Sequence, residues 1–357
     1  MLCSRWALRT LHTWSNPRYT DIINSGAESL LKGSKFSQKL SSWPSIKEYP
    51  NQATSNLHRI LSTLPQTTFA FGYGSGVVRQ LGYAANASPQ IDLILAVSNP
   101  MQWHRQNMSQ NPGHYSLLSM LGAAGVTAIQ RLGAGVYFNP YVQIAGQIVK
   151  YGVVDIETVT KDLTEWNTLY IAGRLQKPVE VLVHDEKVEI AYEYNLQLIL
   201  NLGVILLTQT SVARVPQFSE VELYEIMASV SYMGDIRILL GGENPNKVRN
   251  IVEKQHKFFS KLYQPYLDRL IHEEILIEVS DMKEKQFRLG DVCLEDGIKT
   301  LPKAFRQLAK HNIDLKSAIL NTIRYPSIIQ TGKGLFTAGI LKSAKYALEK
   351  RSKGKSK

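Results

Sequence analysis

The sequence predicts a mixed α/β protein followed by a mainly helical unit, on three observations. Residues 68–97 have the order strand, glycine-rich turn, helix, strand. An apolar, alternating run at 147–154 predicts another strand, and the spacing of apolar residues over 155–175 predicts a helix after it. Near residue 218, Ser219 and Glu222 have the pattern of a helix N-cap, and helical spacing predominates from there.

The run 196–207 is apolar but contains polar residues and is shorter than the ~18 residues that a membrane-spanning helix needs, so we predict a buried helix. A chain of 357 residues is long enough for two domains. The domain boundaries predicted are 1–35 for an N-terminal segment, 36–210 for the α/β domain, 211–325 for the helical domain and 326–357 for a basic tail. Further predicted elements are a strand at 68–71, a helix at 77–81, a strand at 91–97, a turn-rich segment at 133–140, strands at 147–154 and 179–183, a helix at 189–207 and a hairpin at 273–278 and 287–289.

The glycine-rich turn is the first candidate site. Tyr73, Gly74, Ser75 and Gly76 lie between the first strand and the predicted helix. A Gly-Ser pair at a helix N-terminus can hold a nucleotide phosphate through free backbone N–H groups and the helix dipole. Such turns are also common in α/β proteins without this function, so the turn alone is a weak signal.

Asp92 is the second candidate, because it lies inside the otherwise apolar run 91–97. A buried carboxylate is costly unless something compensates it, and a divalent cation such as Mg²⁺ is an obvious partner. A phosphate-binding turn and a metal-binding carboxylate are the minimum required for transfer of a nucleotidyl group. Gln90 and Ile94 occupy the positions two residues away, so a second carboxylate must come from elsewhere, or the nucleotide phosphates supply more of the coordination.

Asp162 is the candidate for that second acid, with Asp155 and Glu157 as competing positions nearer the strand end. The alternative for Asp162 is a solvated helix residue beside Lys161.

Three cations, Lys150, Arg174 and Lys177, lie on or beside the elements that should surround the site. They could neutralise a triphosphate or a second phosphate-bearing substrate. The alternative for Arg174 and Lys177 is simple complementation of a helix C-terminus.

The formal net charge of +11 is concentrated at the two ends of the chain. Residues 1–20 contain three arginines and no acid, and residues 333–357 contain eight basic residues and one glutamate, which leaves about +1 for the remainder. A nucleic-acid-binding protein usually spreads basic residues over its folded surface, so nucleic acid is not expected as the main partner. The N-terminal composition is typical of a mitochondrial presequence, and the alternative is an ordinary disordered tail. The two cysteines cannot form a disulfide framework, which suits a reducing compartment.

The C-terminal segment has apolar residues at helical spacing with lysines on the other side. Such a helix can lie in a membrane interface and be attracted to an anionic lipid surface; the alternative is a helix that packs on the body of the protein. The residues predicted to bind the membrane are Phe336, Ile340, Leu341, Lys342 and Lys345.

Several motifs in order resemble one family, the mitochondrial phosphatidate cytidylyltransferases, which are peripheral CDP-diacylglycerol synthases also called translocator assembly and maintenance proteins. The resemblance runs from about Phe69 to the C-terminus. It is carried by Phe71-Gly72-Tyr73-Gly74-Ser75-Gly76-Val77, Gln90-Ile91-Asp92, Asn111-Pro112-Gly113-His114-Tyr115-Ser116, Gly133–Pro140, Lys150-Tyr151-Gly152-Val153, Ala172-Gly173-Arg174-Leu175-Gln176-Lys177-Pro178 and Lys333-Gly334-Leu335-Phe336-Thr337-Ala338-Gly339.

The resemblance implies a nucleotidyltransferase-fold domain, a winged-helix-like helical domain and a C-terminal amphipathic helix. It implies Mg²⁺-dependent transfer from CTP to phosphatidic acid, giving CDP-diacylglycerol and pyrophosphate for cardiolipin synthesis, at the matrix side of the mitochondrial inner membrane. By position, Gly74 and Ser75 would hold the triphosphate, Asp92 would bind the metal, and Asp162, Arg174 and Lys177 fall in family motifs.

Two other functions remain open from the sequence. A nucleotidyltransferase acting on RNA would need a basic body surface, which the near-neutral body contradicts. A non-enzymatic scaffold for protein import at the inner membrane would make Asp92 dispensable. The sequence leaves open the base selectivity, the acyl preference, the number of metal ions and whether the protein forms a homo-oligomer.

Overall fold

The computed structural model describes residues 51–77, 90–210, 216–236, 246–279, 284–310 and 314–338. The protein is mixed α/β. Its sheet unit contains helix α1 (Asn51–Leu61), β1 (Phe69–Tyr73), β2 (Ile91–Val97), α2 (Pro100–Gln110), 3₁₀ turns at Pro112–His114 and Leu117–Leu121, α3 (Gly122–Arg131), β3 (Val136–Ile144), β4 (Gln147–Asp155), α4 (Ile156–Glu165), α5 (Ala172–Leu175), β5 (Glu180–Val183) and α6 (Glu186–Thr210).

The helical unit follows and ends on a long helix. Its elements are β6 (Gln217–Ser219), α7 (Glu220–Val230), α8 (Lys247–His272), β7 (Leu276–Val279), β8 (Gln286–Leu289), α9 (Leu294–Thr300), α10 (Lys303–Lys310) and α11 (Leu315–Ala338).

The five-stranded sheet has the order β3-β4-β2-β1-β5. Strands β2 and β4 are parallel, whereas β1 pairs antiparallel with β2 and with β5, and β3 pairs antiparallel with β4. Each face is covered by a separate apolar cluster. One contains Phe71 and Ile94 and continues into the helical unit, and the other contains Leu93, Trp103 and Tyr151. The sheet therefore presents one of its faces to the helical unit.

Helix α6 is the apolar centre of the protein, as predicted for a buried helix. Within the described residues it alone is long and apolar enough to cross a membrane by length and composition, yet 83% of that window is buried inside the protein. The capping box predicted at Ser219 is confirmed, because the Glu222 side chain accepts from the Ser219 backbone N–H while Ser219 caps α7. The predicted hairpin is also confirmed, as β7 and β8, and β6 adds a third strand to it.

Two expectations about the sheet unit were wrong. The segment 133–140 is a turn only as far as Gly135, and β3 then begins at Val136. Pro140 can lie in this strand because β3 is at the sheet edge and its register shifts between Asn139 and Val142. Residues 155–175 form two helices instead of one, since Trp166 adopts a left-handed conformation (φ 55°) that ends α4. The predicted helix at 77–81 lies largely outside the described residues.

Helix α11 connects the helical unit back to the sheet. Its Gln330 side chain donates to the carbonyl of Val136, and the Lys333 ammonium donates to the carbonyls of Gln130 and Leu132. The domain boundary predicted between 325 and 326 therefore falls inside this helix. The first part of the predicted tail is packed on the protein.

Candidate active site

Three predicted site residues form a row across adjacent strands. In the register of the sheet, Tyr73 of β1 lies opposite Asp92 of β2, and Asp92 lies beside Lys150 of β4. Because side chains in register on neighbouring strands point to the same face, all three project from the face that meets the helical unit. The Lys150 Nζ atom is 4.0 Å from Asp92 Oδ1, and Gln90 Nε2 donates to the same oxygen at 3.0 Å. The Asp92 side chain is 26% exposed, so it is accessible to a ligand.

The Gly74–Gly76 turn lies directly beside this row. Gly74 has φ +77°, and a Cβ atom there would be 3.6 Å from Asp92 Oδ2. At Gly76 a Cβ atom would lie 2.1 Å from the carbonyl oxygen of Gln90, so no side chain fits. The backbone of the turn thus approaches the second oxygen of the Asp92 carboxylate with no side chain between them, which is the arrangement needed to bring a phosphate close to that oxygen.

Arg174 extends the row toward the helical unit. Its guanidinium carbon is 5.2 Å from the centre of the Tyr73 ring and 3.9 Å from the centre of the Tyr170 ring. The guanidinium also donates to the Tyr170 carbonyl, while its Nε–H is buried with no hydrogen-bond partner within the described structure. Burial raises the pKa of the Tyr73 hydroxyl, although Arg174 opposes this, so the phenol stays protonated at neutral pH. A buried guanidinium with a spare donor is suited to receive an anion.

Lys177 and Lys247 complete a cluster of cations with Arg174. The Lys177 ammonium donates to the carbonyl of Gly173 and to Ser231 Oγ, the latter at 2.8 Å. The ammonium groups of Lys177 and Lys247 lie 5.2 Å and 5.0 Å from the centre of the same Tyr232 ring. Gly173 packs closely on Ser231, since a Cβ atom on the glycine would be 2.4 Å from the serine Cβ. The cluster is therefore formed jointly by the two units.

The electrostatics of this cluster favour an anion. Burial, together with the charges of Arg174 and Lys247, lowers the pKa of Lys177 to about 7. In the part of the chain that the structure describes, neither Arg174 nor Lys177 forms an ion pair with an acid. Arg174 and Lys177 are close enough to repel each other, and a phosphate group placed between them would relieve this repulsion.

Asp92 suits a Mg²⁺ ion that is bound mostly by other ligands. Within the described ranges no group of three or more His, Cys, Asp or Glu side chains could hold a metal ion. Mg²⁺ commonly takes one or two carboxylates and completes its six oxygen ligands with water and substrate phosphates. The Asp92 Oδ2 atom, which faces the Gly74 backbone, is the protein oxygen available for this. The donor set therefore fits a metal that arrives with a nucleotide.

Asp162 is not arranged as a second metal ligand. It is 3% exposed, and its two carboxylate oxygens accept five hydrogen bonds, four from backbone N–H groups and one from the Thr168 hydroxyl. These bonds shape residues 168–172, which connect α4 to the start of α5. The catalytic role predicted for Asp162 stays a prediction, and its geometry supports a structural role.

We expect Asp162→Ala to lower the free energy of unfolding by about 3 kcal/mol or more, because it leaves buried N–H groups without acceptors. Chemical denaturation followed by circular dichroism measures this. The matched control is Asp268→Ala on the exposed side of α8, which should change stability by less than about 0.5 kcal/mol. A stable Asp162→Ala protein with abolished turnover would restore the catalytic interpretation.

The polar residues near 100–115 lie on the other face of the sheet. His104 shares hydrogen bonds of 2.8 Å with the Tyr115 hydroxyl and with Gln130 Oε1, and Asn107 donates to the Tyr151 hydroxyl. Tyr151 follows Lys150 on β4 and so points away from Asp92. Burial lowers the pKa of His104 to about 4, which leaves the ring neutral. This network is a satisfied part of the interior.

Sequence reasoning missed Lys247, Tyr232 and Ser231, which come from the helical unit. No local pattern marks them, because only the packing of α7 and α8 against α5 brings them to Lys177. Of the residues predicted to bind the membrane, Phe336 is 72% exposed on α11. Ile340, Leu341, Lys342 and Lys345 lie outside the described residues.

Comparisons with known proteins give one result. The family model described as mitochondrial phosphatidate cytidylyltransferase matches residues 57–316 and 306–353. The Saccharomyces cerevisiae protein of that name is 42% identical over 286 residues, which are 80% of this chain and 66% of the relative. Those of Schizosaccharomyces pombe and Mus musculus are 34% and 35% identical, covering 80% and 83% of this chain and 79% and 94% of the relatives. The chain therefore belongs to the mitochondrial phosphatidate cytidylyltransferase family.

Proposed function

We propose that this protein transfers the cytidylyl group of CTP to phosphatidic acid, releasing pyrophosphate and forming CDP-diacylglycerol. The single observation that carries the proposal is the continuous arrangement of a carboxylate, a glycine turn and a cation cluster on one face of the sheet. Asp92 and Gly74 form one end, Tyr73 and Arg174 lie in the middle, and Lys177 leads to the helical unit. Family membership supports the substrates, since the relatives are named for this activity.

The reaction joins two polyanions, and the site is built for that problem. An oxygen of the phosphate monoester of phosphatidic acid forms a bond to the α-phosphorus of CTP, and the bond from that phosphorus to the bridging oxygen of the leaving pyrophosphate breaks. The attacking oxygen is already ionised near neutral pH, so a general base is not needed. Catalysis then depends on bringing the reactants together and on stabilising charge as it moves to the leaving group.

The described residues divide these tasks. The backbone of Gly74 and Ser75 would hold the triphosphate beside Asp92, with Tyr73 and Gly76 fixing the turn. Asp92 would bind the Mg²⁺ that arrives with CTP, and this ion would neutralise charge on the phosphates. Lys150 lies beside the carboxylate, where it can contact a phosphate oxygen. Arg174 and Lys177, with Lys247, would hold the remaining phosphate groups, including that of the lipid.

The architecture is consistent with the proposed domain types. The mixed sheet with Asp92 on an inner strand suits a nucleotidyltransferase fold, and the three-stranded β6-β8-β7 sheet with α7 and α8 suits a winged-helix-like domain. We propose that the protein works at the matrix side of the mitochondrial inner membrane, bound peripherally, and that its product serves cardiolipin synthesis. The relatives are named mitochondrial, and the presequence-like N-terminus agrees with this location.

The test is to incubate the purified protein with Mg²⁺ and with vesicles that contain phosphatidic acid. Each of the four nucleoside triphosphates is added in a separate reaction. We expect lipid-linked cytidine diphosphate and an equal amount of pyrophosphate with CTP, and neither product after chelation of the metal. Product with a different nucleotide would overturn the assignment of CTP. No product with any nucleotide, from folded protein that still binds the vesicles, would favour a non-enzymatic scaffold.

A further inference from the structure

The 3₁₀ turn Leu117–Leu121 exposes large apolar side chains. Leu117 and Met120 are each 84% exposed, and Leu121 is 58% exposed. The turn is nevertheless ordered by its own hydrogen bonds, since the backbone N–H of Ser119 donates to the carbonyl of Ser116 at 2.9 Å. The side chains are therefore held in water by a fixed backbone, at a cost that an apolar environment would remove.

Helix α11 lies beside this turn and carries more exposed apolar residues. The helix contacts both the turn and β3, and Lys333 anchors it to the end of α3. Tyr325, Ile328 and Phe336, which recur at helical spacing along α11, are 66%, 45% and 72% exposed. Leu117, Met120, Leu121 and Phe336 are called the apolar surface below.

The charge around the apolar surface is suited to an anionic lipid. Residues 93–149, which contain the whole turn and helices α2 and α3 on either side of it in sequence, have two arginines and no Asp or Glu. The segment that follows α11, 339–357, has seven basic residues and one glutamate. The helices that flank the turn in sequence thus carry positive charge without acids, and positive charge near apolar side chains favours binding at an anionic membrane interface.

A second copy of the chain fits this surface poorly. Four exposed side chains are far fewer than the roughly 20–30 residues that each partner contributes to a stable protein interface. Two copies would also bring two basic regions without acids together, and these would repel each other.

We propose that the Leu117–Leu121 turn inserts into the interface of a bilayer that contains anionic lipid, as a second attachment point in addition to the one predicted for the basic C-terminal segment. The choice of a bilayer as the occupant rests on the proposed function, which needs a lipid substrate. Two attachment points would fix the orientation of the protein on the membrane, whereas the tail alone would only tether it.

The test uses the full chain with Leu117→Gln and Met120→Gln combined. Binding to vesicles of phosphatidylcholine, with and without phosphatidylglycerol, is measured by co-sedimentation at low and high salt. We expect the partition coefficient on the anionic vesicles to fall roughly tenfold or more, because two apolar side chains no longer enter the interface. The ratio of wild type to variant should persist at high salt, which weakens the contribution of the lysines and leaves apolar insertion.

The matched control combines Met101→Gln and Ile148→Gln, which replaces two exposed apolar residues outside the apolar surface. We expect its binding to be unchanged. Unchanged vesicle binding of the Leu117/Met120 variant would overturn the proposal. If the variant also lost self-association in sedimentation velocity while vesicle binding stayed intact, a second copy of the chain would be the occupant. If the double variant melts early, the two single variants serve instead. Vesicle binding is measured without turnover, so its result can be interpreted even if the protein does not transfer a cytidylyl group.

Discussion

Asp92→Asn should reduce turnover by about a thousandfold or more while leaving the fold intact. An amide keeps the size of the side chain and an oxygen that can accept from Gln90, but it loses the negative charge that would hold a divalent cation. Because the carboxylate is partly exposed, its loss should change the midpoint of thermal unfolding little. Initial rates with saturating CTP and Mg²⁺, together with a thermal melt, measure both effects.

Asp155→Asn is the matched control. Asp155 ends β4, the strand next to β2, but lies at the opposite end of the sheet, where it pairs with Val97 and caps α4 through the Glu157 N–H. An asparagine can also cap a helix, so this variant should keep nearly full turnover. If Asp155→Asn were the inactive protein and Asp92→Asn retained activity, the metal site would have to be placed at the other end of the strands.

Lys177→Met should abolish most of the activity and raise thermal stability at neutral pH. The substitution keeps a long side chain but removes an ammonium that lies among Arg174 and Lys247. Losing one phosphate contact should lower kcat/KM by roughly a hundredfold or more. Removing the mutual repulsion should raise the unfolding midpoint by roughly 3–6 °C. Steady-state kinetics and calorimetry measure the two changes, and the control is Lys161→Met, which replaces an exposed lysine.

The stability of the wild-type protein should depend on pH through the protonation of Lys177. Lys177 has a pKa of about 7 in the folded state, below the ordinary value of 10.5, so the unfolded chain binds more protons between these values. The contribution of Lys177 to the free energy of unfolding therefore rises between about pH 7 and pH 10.5. The affinity of the site for phosphate groups should fall as the pH rises, because the ammonium loses its proton. Lys177→Met should lack this pH dependence. A variant that retains it, or that melts below wild type, would contradict the pKa and the site.

The sequence was informative where a residue broke a local pattern. Asp92 is unusual inside an apolar strand, and Gly74 to Gly76 form an abrupt turn, so both could be identified from neighbouring residues alone. Ser219 and Glu222 are three residues apart and cap one helix, which again is a local relation. The strands at 91–97 and 147–154 followed from apolar content and alternation for the same reason.

Other features depend on contacts between distant segments. The sequence around Asp162 does not distinguish a metal ligand from a structural residue. Only the position of residues 168–172 shows that its carboxylate oxygens already accept hydrogen bonds from the backbone. Lys247 belongs to the cation cluster with Arg174 and Lys177 because α8 packs near α5, seventy residues earlier in the chain. Pro140 contributed to the prediction of a turn, but it lies in β3. A proline is tolerated there because β3 is an edge strand. These positions are determined by tertiary packing, and local sequence periodicity carries no information about contacts between distant segments.

Gly173 and Ser231 touch across the junction of the two units, and the cation cluster lies around that contact. Domain shuffling works best when a module brings its own complete site, whereas the site proposed above takes its cations from both units. A gene fusion that supplied a different helical partner would keep Asp92 and Gly74 but lose Ser231, Tyr232 and Lys247. Drift at the junction is therefore constrained by chemistry as well as by folding, and the two units are expected to be inherited as a single evolutionary block.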